Sequence, residues 1–271
     1  MQENKEKKVE ITDTKSNNKK GNNIFDICLI IICMTSVLSF IIVQFIFPGI
    51  REHNINNILS KYDKSKEYSF MYYDYMISDK NKEILEKTLS ENKDVVKLLK
   101  NNNIRIAVTD KKVQEVVKDI TVVNPEMHKE AVGAFIEKLD IIILNPYKYS
   151  ETLKEELKKE KDKLEKNLEF LDTQLNKNLL LHEIGHFLDS LGGNKLEENK
   201  EMQEAFEKEK DIVILELTEY PKSNIKEYIA ECISYYLMYG KVEVNEGVEE
   251  NSTQTSKLIK ETVDRVLKSA N

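Results

Sequence analysis

The sequence predicts an α+β domain carried behind a single N-terminal transmembrane helix. Three observations lead there. One long uncharged apolar run lies near the start, a few short strand-like runs lie in the middle, and amphipathic helical periods fill most of the rest. The chain has 271 residues, enough for one medium domain or two small ones.

Residues 1–23 are polar and lysine-rich, with no apolar period, as in a disordered cytoplasmic tail. Residues 24–48 follow as an anchor. Its core, ICLIIICMTSVLSFIIVQFIF (27–47), carries no charge over 21 residues, about the length that crosses a bilayer as a helix. A signal-peptide core is shorter and ends in a small-residue cleavage pattern; this run ends in FIFPGIRE. Ile27 and Ile32 precede Cys28 and Cys33, where a lipoprotein cleavage site would want a small residue. Six lysines lie in the first 23 residues, against Arg51, Lys61, Lys64 and Lys66 in 48–67. Cations concentrate on the cytoplasmic side. The expectation is a single-pass protein of the cell membrane with an extracytoplasmic C-terminal domain, secreted only if the N-terminal segment is cleaved.

The formal net charge is −7, and the only arginines are Arg51, Arg105 and Arg265. Lysine-rich stretches are laced with Glu and Asp, so no concentrated basic surface exists for nucleic acid. Cys28, Cys33 and Cys232 are the only cysteines. They form neither a disulfide framework nor a C-x-x-C metal motif.

Residues 49–100 read as a helical N-terminal lobe. DKNKEILEKTL and ENKDVVKLLK have short amphipathic periods, with Ser78 or Asp79 and Ser90 as N-caps. The aromatic run YSFMYYDYM before them reads as packing between this lobe and the rest. Residues 101–271 read as the main domain. IRIAVTD (104–110) is a strand, and AVGAFIEKLDIIILNP (131–146) is two strands around a polar turn, stopped by Pro146. Residues 150–171 make a charged helix with a stripe of Leu153, Leu157, Leu164, Leu168 and Leu171. The next helix covers 174–191, starting at Asp172 or Thr173 and ending at Gly192-Gly193. LEENKEMQEAFEKEKDIVI is helical. TEYPKSN is a loop in which Ser223 or Asn224 caps IKEYIAECISYYLMYG, and a last helix covers about 254–268.

LLLHEIGHFLD (179–189) carries the chemistry. His182 and His186 are four apart, so a helix sets both imidazoles on one face, one turn apart. That spacing serves one zinc ion, with Glu183 beside it as a base: the H-E-x-x-H pattern. Leu180, Leu181, Ile184, Phe187 and Leu188 bury the helix, and Gly185 lets neighbouring backbone approach. A catalytic zinc needs a third protein ligand. No histidine follows His186, and Asp189 and Gly192 occupy metzincin positions. Phe206 stands at the thermolysin-type position, with Glu204 and Glu207 close by. Glu227 and Glu231, four apart among apolar neighbours, fit better. Two buried carboxylates need compensation, which zinc and a ligating histidine's free N–H would supply. One would ligate and the other would orient a histidine; spacing leaves open which.

HEIGH, then EYIAE at 227–231 with a tyrosine seven residues before its first Glu, resembles the catalytic domain of anthrax lethal factor and the related clostridial Pro-Pro endopeptidases. The resemblance covers roughly residues 100–270. It implies a zincin-like metalloprotease domain: a small sheet, an active-site helix and a C-terminal helical part. It implies His182, His186 and Glu227 on zinc, Glu183 as base, Tyr220 as the hydroxyl that assists the transition state, and Glu231 behind the ligands. The expected activity is zinc-dependent hydrolysis of a peptide or protein, with the substrate added as a strand along the sheet edge within 131–145. The competing expectation is a non-catalytic, zinc-stabilised binding or interaction module at the cell surface. Glu183 weighs against it, because a structural zinc site has no use for that carboxylate.

Overall fold

A computed structural model of the chain describes residues 47–120, 122–147, 168–191, 195–213, 220–242, 244–245, 249 and 252–270, with helical stretches at 31–32, 34–36 and 38–39. It divides into two compact units, residues 1–52 and 53–271. The apolar run 27–47 falls mostly outside the described residues, and among those described no helix is long and apolar enough to cross a membrane. The charged helix expected at 150–171 also lies outside them, apart from its last four positions.

The second unit is an α+β fold on a five-stranded mixed sheet. The strands are β1 (Asp63–Lys64), β2 (Met71–Tyr73), β3 (Arg105–Val108), β4 (Gly133–Ile136) and β5 (Ile141–Leu144), in the order β1-β2-β3-β5-β4. β2, β3 and β5 are parallel, while β1 and β4 pair antiparallel at the two edges. RIAV and IIIL are nearly continuous apolar runs because central parallel strands are covered on both faces. The aromatic run expected as simple packing supplies β2, so the region before residue 100 builds sheet as well as helix. β4 and β5 are joined by a 3-10 turn, Glu137–Leu139, and by Asp140 in the left-handed region at φ 50°, a conformation that Asp tolerates.

Alternation along the strands sends each face to a different core. Ala107, Ile141 and Ile143 face one side, with Ile55, Ile58 and Leu59 of α1 (Phe47–Leu59) and Val113 and Val117 of α4 (Val113–Val117). Ile106, Val108, Ile142 and Leu144 face the other. That side is covered by α2 (Asp79–Glu91), α3 (Lys93–Asn101), α5 (Leu168–Leu191), α7 (Ile225–Tyr239) and α8 (Gln254–Lys268), with α6 (Lys200–Glu209) packed outside.

Caps explain most boundaries. Ser78 caps α2 by accepting from the Asn81 N–H, Asn224 caps α7 by accepting from Lys226, and Thr253 caps α8 by accepting from Ser256. α7 ends at Gly240, whose φ of 74° suits glycine. Ser90 does not cap α3. It is still inside α2, where its hydroxyl donates back to the Lys87 carbonyl at 2.7 Å, and Asn92 takes the cap position. α5 is already helical at Leu168, so Asp172 and Thr173 are interior rather than caps. The stretch expected as one helix from Leu196 is a 3-10 turn, Leu196–Glu198, followed by α6. Val213 leaves helix altogether to form an isolated bridge with Val244, as a β-branched residue favours.

Candidate metal centre

α5 and α7 cross at a point of very close approach, and the site lies there. A Cβ on Gly185 would stand 2.6 Å from the Ala230 carbonyl oxygen, so only glycine lets the two backbones meet this closely. α7 is further held by Tyr228, whose hydroxyl shares a hydrogen bond with Thr255 of α8 at 3.1 Å and whose ring packs edge-on against Phe206 of α6. In the last turn of α5, the Asp189 carboxylate accepts from the Leu196 N–H at 2.8 Å and ties this helix to the 3-10 turn Leu196–Glu198. Glu197 then pairs with Lys226 in the first turn of α7 at 3.0 Å.

The crossing brings together His182, His186 and Glu227, each able to offer one ligand atom, with those atoms within 4.8 Å of one another. This group could hold a metal ion. The His182 and His186 rings are 4.9 Å apart and nearly perpendicular. His182 Nε2 lies 3.0 Å from Glu227 Oε2, and His186 Nε2 lies 3.6 Å from the same oxygen. Glu227 is in the first turn of α7, where the helix dipole favours a carboxylate.

Glu231, one turn further along α7, is buried at 4% exposure and accepts from His182 Nδ1 at 2.8 Å. Its other oxygen accepts from Asn178 Nδ2 at 2.9 Å, and Asn178 Oδ1 accepts from the Ser234 hydroxyl at 2.6 Å. Of the two glutamates whose order the spacing left open, Glu227 is the one grouped with both histidines. Glu204 and Glu207 are exposed on α6, facing Lys200, Lys208 and Lys210.

Glu183 is buried at 5% exposure, and its Oε2 meets no hydrogen-bond partner among the described residues. Its carboxylate accepts from the Phe135 N–H of β4. A Cβ on Gly133 would come within 2.6 Å of Glu183 Oε1, so the glycine opening β4 makes room for this side chain. Tyr220 begins the 3-10 turn Tyr220–Ser223 that leads into α7; its side chain lies outside the described residues.

The charges are strongly coupled. Burial pushes Glu183 above the ordinary carboxylate range, partly offset by His186 and His182. Burial disfavours the His182 cation, but hydrogen bonds to Glu227 and Glu231 outweigh it and hold the imidazole protonated well above its usual range. Burial also works against ionised Glu227, and hydrogen bonds from His182 and His186 overcome it, holding this carboxyl far below its usual range. Two imidazole nitrogens and one carboxylate oxygen suit a borderline divalent metal, and the unpartnered Glu183 oxygen beside them is what a site for an activated water needs.

Sequence reasoning missed three residues here. Asn178 and Ser234 are small polar residues on buried helix faces, four before His182 and three after Glu231, and that helical spacing was the available signal. Gly133 carried none, because its role arises only when β4 meets α5. No family model matches the chain, and no curated protein matches it.

Proposed function

We propose that the chain is a zinc-dependent endopeptidase of the zincin-like kind, tethered to the cell membrane by residues 24–48 with its catalytic domain outside. The observation that supports this best is the convergence of His182, His186 and Glu227 beside a buried carboxylate with one free oxygen. Bound zinc would supply Lewis acidity, lowering the pKa of the attacking water and polarising the scissile carbonyl. His182, His186 and Glu227 would hold the ion, and Glu231 holds His182 by its Nδ1–H. Glu183 takes the proton from the attacking water and delivers it to the leaving nitrogen. Its burial raises its basicity for that role. On the resemblance of YPKSNIKEYIAE, Tyr220 donates a hydrogen bond to the developing oxyanion; an unchanged kcat in Tyr220→Phe would remove it from the mechanism.

β4 is an edge strand. The Asn145 N–H donates to the Val132 carbonyl, so by antiparallel alternation Ala134 and Ile136 turn their backbone groups to β5. Gly133 and Phe135 turn theirs away from β5, where the Phe135 N–H already meets the Glu183 carboxylate, and a substrate strand would run past Glu183 along the groups that remain.

The test uses the detergent-purified full chain and a peptide library. One zinc per chain is expected, lost in His182→Ala, with hydrolysis that stops on chelation and returns with zinc. Cleavage that survives exhaustive chelation would sink the proposal. Zinc bound with no peptide cleaved would leave the non-catalytic module. Protease shaving of intact cells should release the outer domain; full protection until lysis would reverse the topology.

A further inference from the structure

We infer that Asn178 and Ser234 are positioning residues that decide which nitrogen of His182 faces the metal position; the inference rests on reading His182 as a ligand. A carboxylate only accepts hydrogen bonds. Asn178 must therefore present Nδ2, not Oδ1, to Glu231 Oε1, at 2.9 Å. Its Oδ1 then needs a donor, and the Ser234 hydroxyl supplies it at 2.6 Å. With Oε1 occupied, Glu231 Oε2 is left to accept from His182 Nδ1–H, at 2.8 Å. A neutral imidazole with its proton on Nδ1 carries its lone pair on Nε2, the atom that points at Glu227.

The file is dry. Asn178 is 1% exposed, Ser234 0% and Glu231 4%, so no solvent competes for these bonds and a broken one leaves a buried partner unsatisfied. The file also spans the crossing, with Asn178 and His182 on α5 and Glu231 and Ser234 on α7. An apolar pair would join two helices at less desolvation cost. What a polar pair adds is a fixed orientation for Glu231, and through it for the imidazole.

Zinc competition titration on the full chain tests this, with wild type, Asn178→Leu and Ser234→Ala compared. The chain has four histidines, few enough for 15N-histidine labelling to resolve the His182 ring. Asn178→Leu should weaken zinc by about tenfold or more, within the range for partners behind a ligand, and should speed exchange of the His182 Nδ1 proton. Ser234→Ala, one bond further from the ring, should move both in the same direction by a smaller factor. If both variants lose thermal stability while zinc affinity and ring-proton exchange stay at wild-type values, the pair merely joins two helices and the inference is overturned. Should Asn178→Leu not fold, Ser234→Ala decides alone by the same two readouts. A wild-type chain that binds no zinc overturns the underlying reading and the inference together.

Discussion

The two faces of the sheet are built from different materials. Under α1 and α4 the buried cluster is built on aliphatic side chains, Ile55, Val113, Leu139, Ile141 and Ile143, with polar groups only at its margin, where half-buried Tyr62 packs against it and hydrogen-bonds Thr109. Under α5 and α7 an equally buried apolar core, with Ile184, Phe187 and Leu188, is inlaid with Glu183, Asn178, Glu231 and Ser234. Each of those charged or amide groups loses hydration on burial, a cost that the aliphatic centre of the first face avoids. A fold that keeps one side inexpensive and places its conflicts on the other separates stability from chemistry. Substitutions on one face should be felt in function, and those on the other in stability alone.

The largest break is expected at Glu183. Glu183→Gln keeps the shape and removes the charge. Hydrolysis should fall at least about a hundredfold, the scale of a lost general base, with zinc content unchanged. Burial raises this carboxyl in the folded chain, so its ionised form costs stability above the ordinary value of 4.5. The Gln variant should therefore melt at the same temperature or higher at neutral pH. Steady-state kinetics, zinc content and a thermal melt on one preparation check all three, and turnover at the wild-type rate would exclude the base.

The ligands come next. Glu227→Ala should lose most zinc binding, while Glu231→Ala should keep a site weakened roughly 10–100-fold. If Glu231→Ala empties the site and Glu227→Ala holds zinc tightly, the third ligand is misplaced by one helical turn. Zinc must also displace the proton that His182 holds above its ordinary 6.5, so wild-type affinity should rise with pH across the neutral range, with proton release on binding. Titrations at about pH 6 and pH 8 measure this. In the metal-free chain the signs run the other way. The lowered Glu227 carboxyl stabilises the fold above 4.5 and loses that contribution as pH falls through its depressed value. The raised His182 stabilises it below 6.5 and loses that contribution as pH climbs through its raised value. The pair is thus fully stabilising between about 4.5 and 6.5, and zinc takes its place on the alkaline side.

How much could be read beforehand follows the range of the forces involved. Local signals were legible. The 3.6 period set α7 and α8, Ser78 and Asn224 capped where expected, and the His182/His186 spacing marked the face that could hold a metal ion before any neighbour was known. Interactions between elements were not. β2 hides in an aromatic run because a three-residue strand has too little alternation to announce itself. Asn178 and Ser234 look like isolated polar substitutions until α5 and α7 are crossed against each other. Gly133 matters only because Glu183 arrives from another element. Asp189, read only as a departure from another ligand pattern, serves as an acceptor for the Leu196 N–H seven residues on.

The smallest effects give the sharpest form of the comparison. Gly185→Ala improves helix propensity by up to about 1 kcal/mol, yet its Cβ would lie 2.6 Å from Ala230 O and 3.0 Å from Ala230 Cα. Those are backbone atoms and cannot swing aside as a side chain would. The helices must separate, at a cost of about 1–3 kcal/mol for overpacking, and separation carries Glu227 and Glu231 away from His182. Both the melting temperature and zinc affinity should fall. Ile143→Val, on the opposite face, removes one methyl group from the cluster under α1 and α4, for about 0.5–1.5 kcal/mol. Its melting temperature should drop modestly while zinc affinity stays at the wild-type value, because no polar contact connects Ile143 to the crossing. A thermal melt and a zinc titration on each variant suffice. Unchanged zinc affinity in Gly185→Ala, or a weakened one in Ile143→Val, would mean that the two faces do not divide the work in this way.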